Sequence, residues 1–165
     1  MGAARGCHRP AAHRLEFALA APNVWPMHGD TPIIQLLSAA ADSRMEDPRY
    51  LAFFECFNAR RFFEAHEVLE ELWLEVKHSG EGDFYKGLIQ LAAAFLHWQE
   101  GRPGPAAALL RTARGHLAKY PPLHHRLEVV GVLGIADEWV AYIEGGLLAG
   151  QALSREVPRL ALRRE

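Results

Sequence analysis

Apolar and polar positions alternate along most of this chain with the period of a helix, most clearly from Arg60 to about Lys77. There Phe62, Ala65, Leu69, Leu72, Trp73 and Val76 recur at three- and four-residue spacing, while Glu64, Glu67, Glu71 and Glu75 gather on the other side. The same reasoning predicts a short helix over Ile33 to Ala41, opened by Thr31 as N-cap and Pro32. A second begins at Asp47-Pro48 and runs through Phe57, with Tyr50, Leu51, Phe53, Phe54 and Phe57 on a broad apolar face. After the loop His78 to Gly82, a helix capped by Asp83 is expected to reach about Glu100 and stop at Gly101. It is apolar nearly all round and should be the buried centre. Gly101 to Pro105 reads as a turn, Ala106 to Tyr120 as a helix stopped by Pro121-Pro122, and His124 to Glu144 as the last long helix. No strand alternation is visible. These elements predict an all-α fold, an antiparallel bundle of about five to six helices built from helical hairpins.

Residues 1–29 mix Gly, Pro, His and Arg without a period and read as a loosely ordered tail, with Met27 a candidate start; 30–146 read as a single helical domain. Residues 147–165 read as a C-terminal extension in which a short helix is a candidate and Pro158 argues against one. Composition changes this picture little and narrows function more. Half of the 165 residues are hydrophobic and 23% are charged, the balance of a globular protein. A net charge of −2 supplies no basic surface for a phosphate backbone, so no nucleic-acid partner is expected. Cys7 and Cys56 are far apart and indicate neither a disulfide framework nor a Cys-x-x-Cys metal site, which fits a cytoplasmic setting. The N-terminal apolar runs are broken by Glu16, Pro22 and Pro26, unlike a signal peptide, and no later run is long enough to span a membrane.

The candidate chemistry lies on the helix Phe62 to Trp73. At about 100° per residue, His66 and Glu70 stand one turn apart, bordering the apolar stripe beside Phe62 and Trp73. A histidine and a carboxylate at that spacing can supply two ligands to one divalent metal, and His66-Glu67-Val68-Leu69-Glu70 resembles the zincin pattern with its second histidine replaced. His97 or Gln90 would be the nearest third ligand. A di-metal bundle site needs Glu-x-x-His on two helices, and only Glu75-Val76-Lys77-His78 fits. The plainer reading has His66 held by Glu70 through a hydrogen bond, Glu64, Glu67, Glu71 and Glu75 as a solvated face, Gln90 and His97 fastening helices together, and Trp73 and Trp98 in the core. Two functions follow. The leading one is a non-enzymatic helical scaffold or binding domain, partnered by itself or another protein, with a pocket of His66, Glu67, Glu70, Trp73, Tyr85, Gln90 and His97. The alternative is a metal-dependent hydrolase with His66 and Glu70 as ligands and Glu67 as general base.

With Asn58, then Arg61 to Trp73 (RFFEAHEVLEELW) and Phe84 to Ala92 (FYKGLIQLA), the chain resembles the domain of unknown function 309 family over roughly Tyr50 to Pro122. The resemblance implies a small helical bundle and carries no established activity. Its Glu-Ala-His-Glu pattern falls on Glu64, Ala65, His66 and Glu67, its following Glu and Trp on Glu70 and Trp73, and its Gly-Leu-Ile-Gln on Gly87, Leu88, Ile89 and Gln90. Family members often have Gln at the place of Lys86. They also tend to carry a Gly-hydrophobic-Asp element after the Tyr-Pro turn, which Gly134-Ile135-Ala136-Asp137 fits only with an extra residue.

Overall fold

The structure is a computed structural model and describes residues 46–164. The expected tail, Met27 and the helix Ile33 to Ala41 lie outside the described residues.

Helix α1 spans Pro48–Asn58, and its start follows the predicted chemistry: the Asp47 side chain accepts from the Arg49 backbone N–H, and Pro48 needs no donor in the first turn. The helix ends with the Arg60 N–H on the Phe57 carbonyl and the Arg61 N–H on that of Cys56, the paired bonds of a Schellman motif. Arg60 takes the left-handed conformation (φ 65°) that glycine usually supplies there, as Gly101 (φ 71°) does after the central helix.

Helix α2 is Phe62–Val76, α3 Gly82–Gln99 and α4 Pro103–Leu117. Connections of three to five residues turn each helix back on its predecessor. Arg49 ties the start of α1 to the end of α2, with Nη1 2.7 Å and Nη2 2.9 Å from the Glu75 carboxylate, so one member of the expected solvated face is an inter-helix anchor. The centre of the bundle is α3, as its composition predicts: Phe84, Leu88, Leu91, Ala92, Ala94 and Phe95 are all buried. It packs between α2 and α4. Gly87 permits the close approach to α4, because a Cβ there would meet Leu117 Cγ at 2.7 Å and the Ala113 carbonyl oxygen at 3.2 Å.

Three expectations need correction. Asp83 does not cap α3; the N-cap position is Glu81, and Asp83 instead holds α4 from the first turn of α3, 2.8 Å from His116 Nδ1 and 2.6 Å from Lys119 Nζ. The last helix, α5, spans Val129–Leu148 and does not begin at His124. Ahead of it β1 (Leu123–His124) and β2 (Leu127–Glu128) form a small antiparallel hairpin around His125-Arg126. Beyond α5, residues 151–164 hold no helix and run as a strap over the bundle, burying Val157 and Leu160 and meeting β2 at a Leu127–Leu162 bridge. Five helices are thus present among the described residues, and the all-helical bundle is the fold. No helix among them is long and apolar enough to cross a membrane.

Candidate functional site

The stripe carrying His66, Glu70 and Trp73 on α2 looks onto Lys86 of α3. Lys86 Nζ stands 4.5 Å above the Trp73 ring, and Lys77 Nζ lies 5.8 Å from the same ring. Gln90 is one turn beyond Lys86 on the same face of α3, so it falls on the seam between the helices. Only 7% of Gln90 is exposed, and its Oε1 is buried without a hydrogen-bond partner. An unpaired buried carbonyl of this kind costs about 1–3 kcal/mol, which makes it an unusual thing for a core to keep.

Burial pushes the His66 pKa down; the Glu70 carboxylate opposes that and the Lys86 ammonium reinforces it. Burial thus favours the neutral form of this imidazole more than in a free histidine. Glu67 is exposed, and its pKa is raised by partial burial and by its neighbours Glu70, Glu64 and Glu71. His97 lies at the last turn of α3, roughly 10 Å along the axis from Gln90. Its Nδ1 is 3.5 Å from Glu100 Oε2 but makes no hydrogen bond, and burial followed by the Arg102 charge lowers its pKa. Tyr85 belongs to a different group. Its ring stacks on His125 at 6.0 Å and lies 5.9 Å from Tyr50, and burial, then the Glu81 and Glu46 charges, push its pKa up to about 12. The stripe of His66, Glu70 and Trp73 thus meets Lys86, which stands out in the sequence only as a departure from the family pattern, and Gln90 follows Lys86 one turn along α3.

As ligands, His66 and Glu70 have no third His, Cys, Asp or Glu clustered with them among the described residues. One such group of three exists elsewhere, at Glu81, His124 and His125. Glu81 Oε2 lies 2.8 Å from His124 Nε2 and 2.9 Å from His125 Nε2, and Glu46 Oε2 lies 3.6 Å from His125 Nδ1. Phe84 packs against both imidazoles, at 4.8 and 5.4 Å, and the Tyr50 hydroxyl donates to the His125 carbonyl at 3.0 Å. Burial alone would raise the Glu81 pKa, but the two imidazole partners outweigh it and hold it below the ordinary value. Sequence reasoning passed over these residues. The adjacent pair His124-His125 was the available signal, but Glu81 is 43 residues away and no spacing rule connects them.

The shifts have a consequence for stability. His66 and His97 titrate below the ordinary histidine value in the folded chain, so the unfolded chain takes up protons first as pH falls through about 6.5. Stability should drop there. Glu81, Asp47 and Asp83, all held low, add a further loss as pH falls through the carboxylate range, with Glu67 acting in the opposite sense. Urea midpoints at about pH 7.5 and about pH 5.5 should therefore differ, and the difference should shrink in His66→Gln. Equal wild-type midpoints would contradict the assignment.

Residues 50–109 match the model of a family described as a domain of unknown function (DUF309). An uncharacterized protein of Aquifex aeolicus is 35% identical over 65 residues, covering 39% of this chain and 20% of its own length. The chain thus spans about a fifth of the length of that curated relative. No solved structure matches. The seam residues all lie in the matched segment, whereas His124 and His125 fall beyond it. Over residues 50–109, then, this chain matches the domain of unknown function 309 family, as its Glu-Ala-His-Glu and Gly-Leu-Ile-Gln motifs predict.

Proposed function

We propose that this chain is a non-enzymatic helical binding domain whose α2–α3 seam takes a small ligand donating an N–H or O–H group to Gln90. The observation that carries the reading is the Gln90 Oε1 atom, buried and without a partner one turn along α3 from Lys86, which caps the Trp73 indole on the stripe of His66 and Glu70. A ligand donor would satisfy that oxygen, Glu70 offers a second acceptor, and the Trp73 ring offers apolar area with a polar edge. Hydrolysis at a metal on His66 and Glu70, with Glu67 as base, is the weaker reading. Such sites use three protein ligands and an open position, and the Lys86 charge already acts against a cation at His66.

The test is Gln90→Leu. Removing an oxygen whose unpaired burial costs about 1–3 kcal/mol, together with its amide, should leave stability by urea unfolding equal to wild type or higher. Small primary amines, amides and polyols screened by NMR should shift the Trp73 indole N–H in the wild type and not in the variant. A variant that loses several kcal/mol would mean that Gln90 fastens the helices together. Shifts of the same size in both proteins would remove Gln90 from the site.

A further inference from the structure

From the hairpin we infer that Glu81, His124 and His125 form a binding site for a borderline divalent transition metal such as Zn2+, with Glu46 behind His125 and water completing the shell. This site is separate from the seam and stands whether or not the seam binds anything.

Two imidazoles and one carboxylate are a donor set suited to Zn2+ and its neighbours; hard cations such as Mg2+ and Ca2+ prefer oxygen alone. The three ligand atoms lie within 4.8 Å of one another, with Glu81 Oε2 between the two Nε2 atoms. Tetrahedral Zn2+ with bonds of about 2.0–2.1 Å needs ligand atoms about 3.4 Å apart. Each Glu81–histidine contact, now 2.8 and 2.9 Å, would open by about half an ångström. The side chains of Glu81, His124 and His125 are 39%, 20% and 32% exposed, so a cation can enter from solvent.

Two further features point the same way. In metal sites a ligating histidine usually turns its second ring N–H to a carboxylate, which fixes the tautomer. Here Glu46, 9% exposed at its side chain, stands 3.6 Å from His125 Nδ1, the nitrogen that must carry the proton once Nε2 binds metal. The backbone also departs from what a hairpin finds easy. His125 (φ 45°) and Arg126 (φ 60°) occupy the two positive-φ positions of a two-residue turn that Asn-Gly ordinarily fills. Strain at a turn that aims a histidine at a carboxylate is what a binding site retains and a plain connection has no reason to keep. A bound ion would join the hairpin to the start of α3, since Glu81 immediately precedes that helix.

The full, tag-free chain is stripped with chelator and titrated with Zn2+ and Co2+. One equivalent of Zn2+ should bind, and Co2+ should give the intense visible bands of a tetrahedral site. Glu81→Gln, His124→Gln and His125→Asn should each weaken binding by at least about tenfold. Asparagine accepts positive φ and so preserves the turn at 125. Glu46→Gln should weaken it about tenfold, and His78→Gln, on an exposed loop, should change nothing. Absence of the tetrahedral Co2+ spectrum in the wild type would overturn the site, as would Zn2+ affinity unchanged in His124→Gln and His125→Asn. The Co2+ result needs no variant, so a misfolded mutant does not protect the proposal.

Discussion

Trp139→Ala should destabilise the domain by about 3–5 kcal/mol, the range for truncating a buried aromatic. Trp139 is 2% exposed on the inner face of α5, edge-to-face with Phe95 at 5.1 Å and with Trp98 at 5.0 Å, both on α3. Its other side carries the Arg155 guanidinium, 5.0 Å from the ring, which is also 5.4 Å from Tyr142 and bonded to Glu138 at 3.1 Å. One indole therefore joins α5, the central helix and the strap. Truncation opens a cavity among aromatic rings that cannot collapse without moving a helix, and it removes the surface on which Arg155 rests. For a domain whose whole stability is about 5–15 kcal/mol, that loss is a large fraction. Urea unfolding monitored by far-UV circular dichroism reads it directly. Trp139→Phe, which keeps a ring, should cost less than half as much, and a cost below about 1 kcal/mol for the alanine variant would show that the site can repack.

Asn58→Ala should loosen the strap at a cost of about 2–4 kcal/mol. The Asn58 amide pairs both ways with one residue of the strap, Nδ2 donating to the Leu160 carbonyl at 2.7 Å and Oδ1 accepting its N–H at 2.8 Å. Those are partly buried backbone groups, and alanine leaves both unpaired. The other fastenings of the strap lie toward its two ends: the Leu127–Leu162 bridge, the Arg163 N–H on the Arg126 carbonyl at 2.8 Å with Arg126 Nε donating back to the Arg163 carbonyl at 2.9 Å, the Ser154 N–H on the Tyr142 hydroxyl at 2.9 Å, Arg155 on the Trp139 ring, and exposed ion pairs from Arg60, Arg155 and Arg163. Exposed pairs contribute little. Trypsin should therefore cut after Arg159 faster in the variant while the helical core stays folded. Asn58→Asp separates the two bonds, since it keeps the acceptor and sets a negative charge against the Leu160 carbonyl. Cleavage at the wild-type rate in Asn58→Ala would mean that Val157 and Leu160 hold the strap by burial alone.

The helices were legible because their causes are local. An apolar residue every three or four positions, aspartate before proline at Asp47-Pro48, and the stop at Gly101 each act within about one turn, and the structure places α1, α2 and α3 within a few residues of the expected bounds. The seam was legible in part for the same reason, since His66, Glu70 and Trp73 share a stripe whatever lies opposite. Lys86 joined them only when α3 was laid across α2, and Tyr85 left because one residue on a helix turns a side chain by about 100°.

Other features had no local cause to read. Two-residue strands are too short to alternate, and His125-Arg126 lacks the glycine that marks a hairpin, so a turn forced by its surroundings passed for the start of a helix. The strap has no period, and its hydrogen-bonded partner lies 102 residues away at Asn58. The carboxylate facing His124 and His125 comes from the far side of two helices. By itself the sequence determined the helices, the buried centre and one polar stripe, because those depend on neighbours three or four residues apart. The hairpin, the strap and the Glu81–His124–His125 cluster were decided only by tertiary packing, because each rests on contacts between segments that local propensity does not connect.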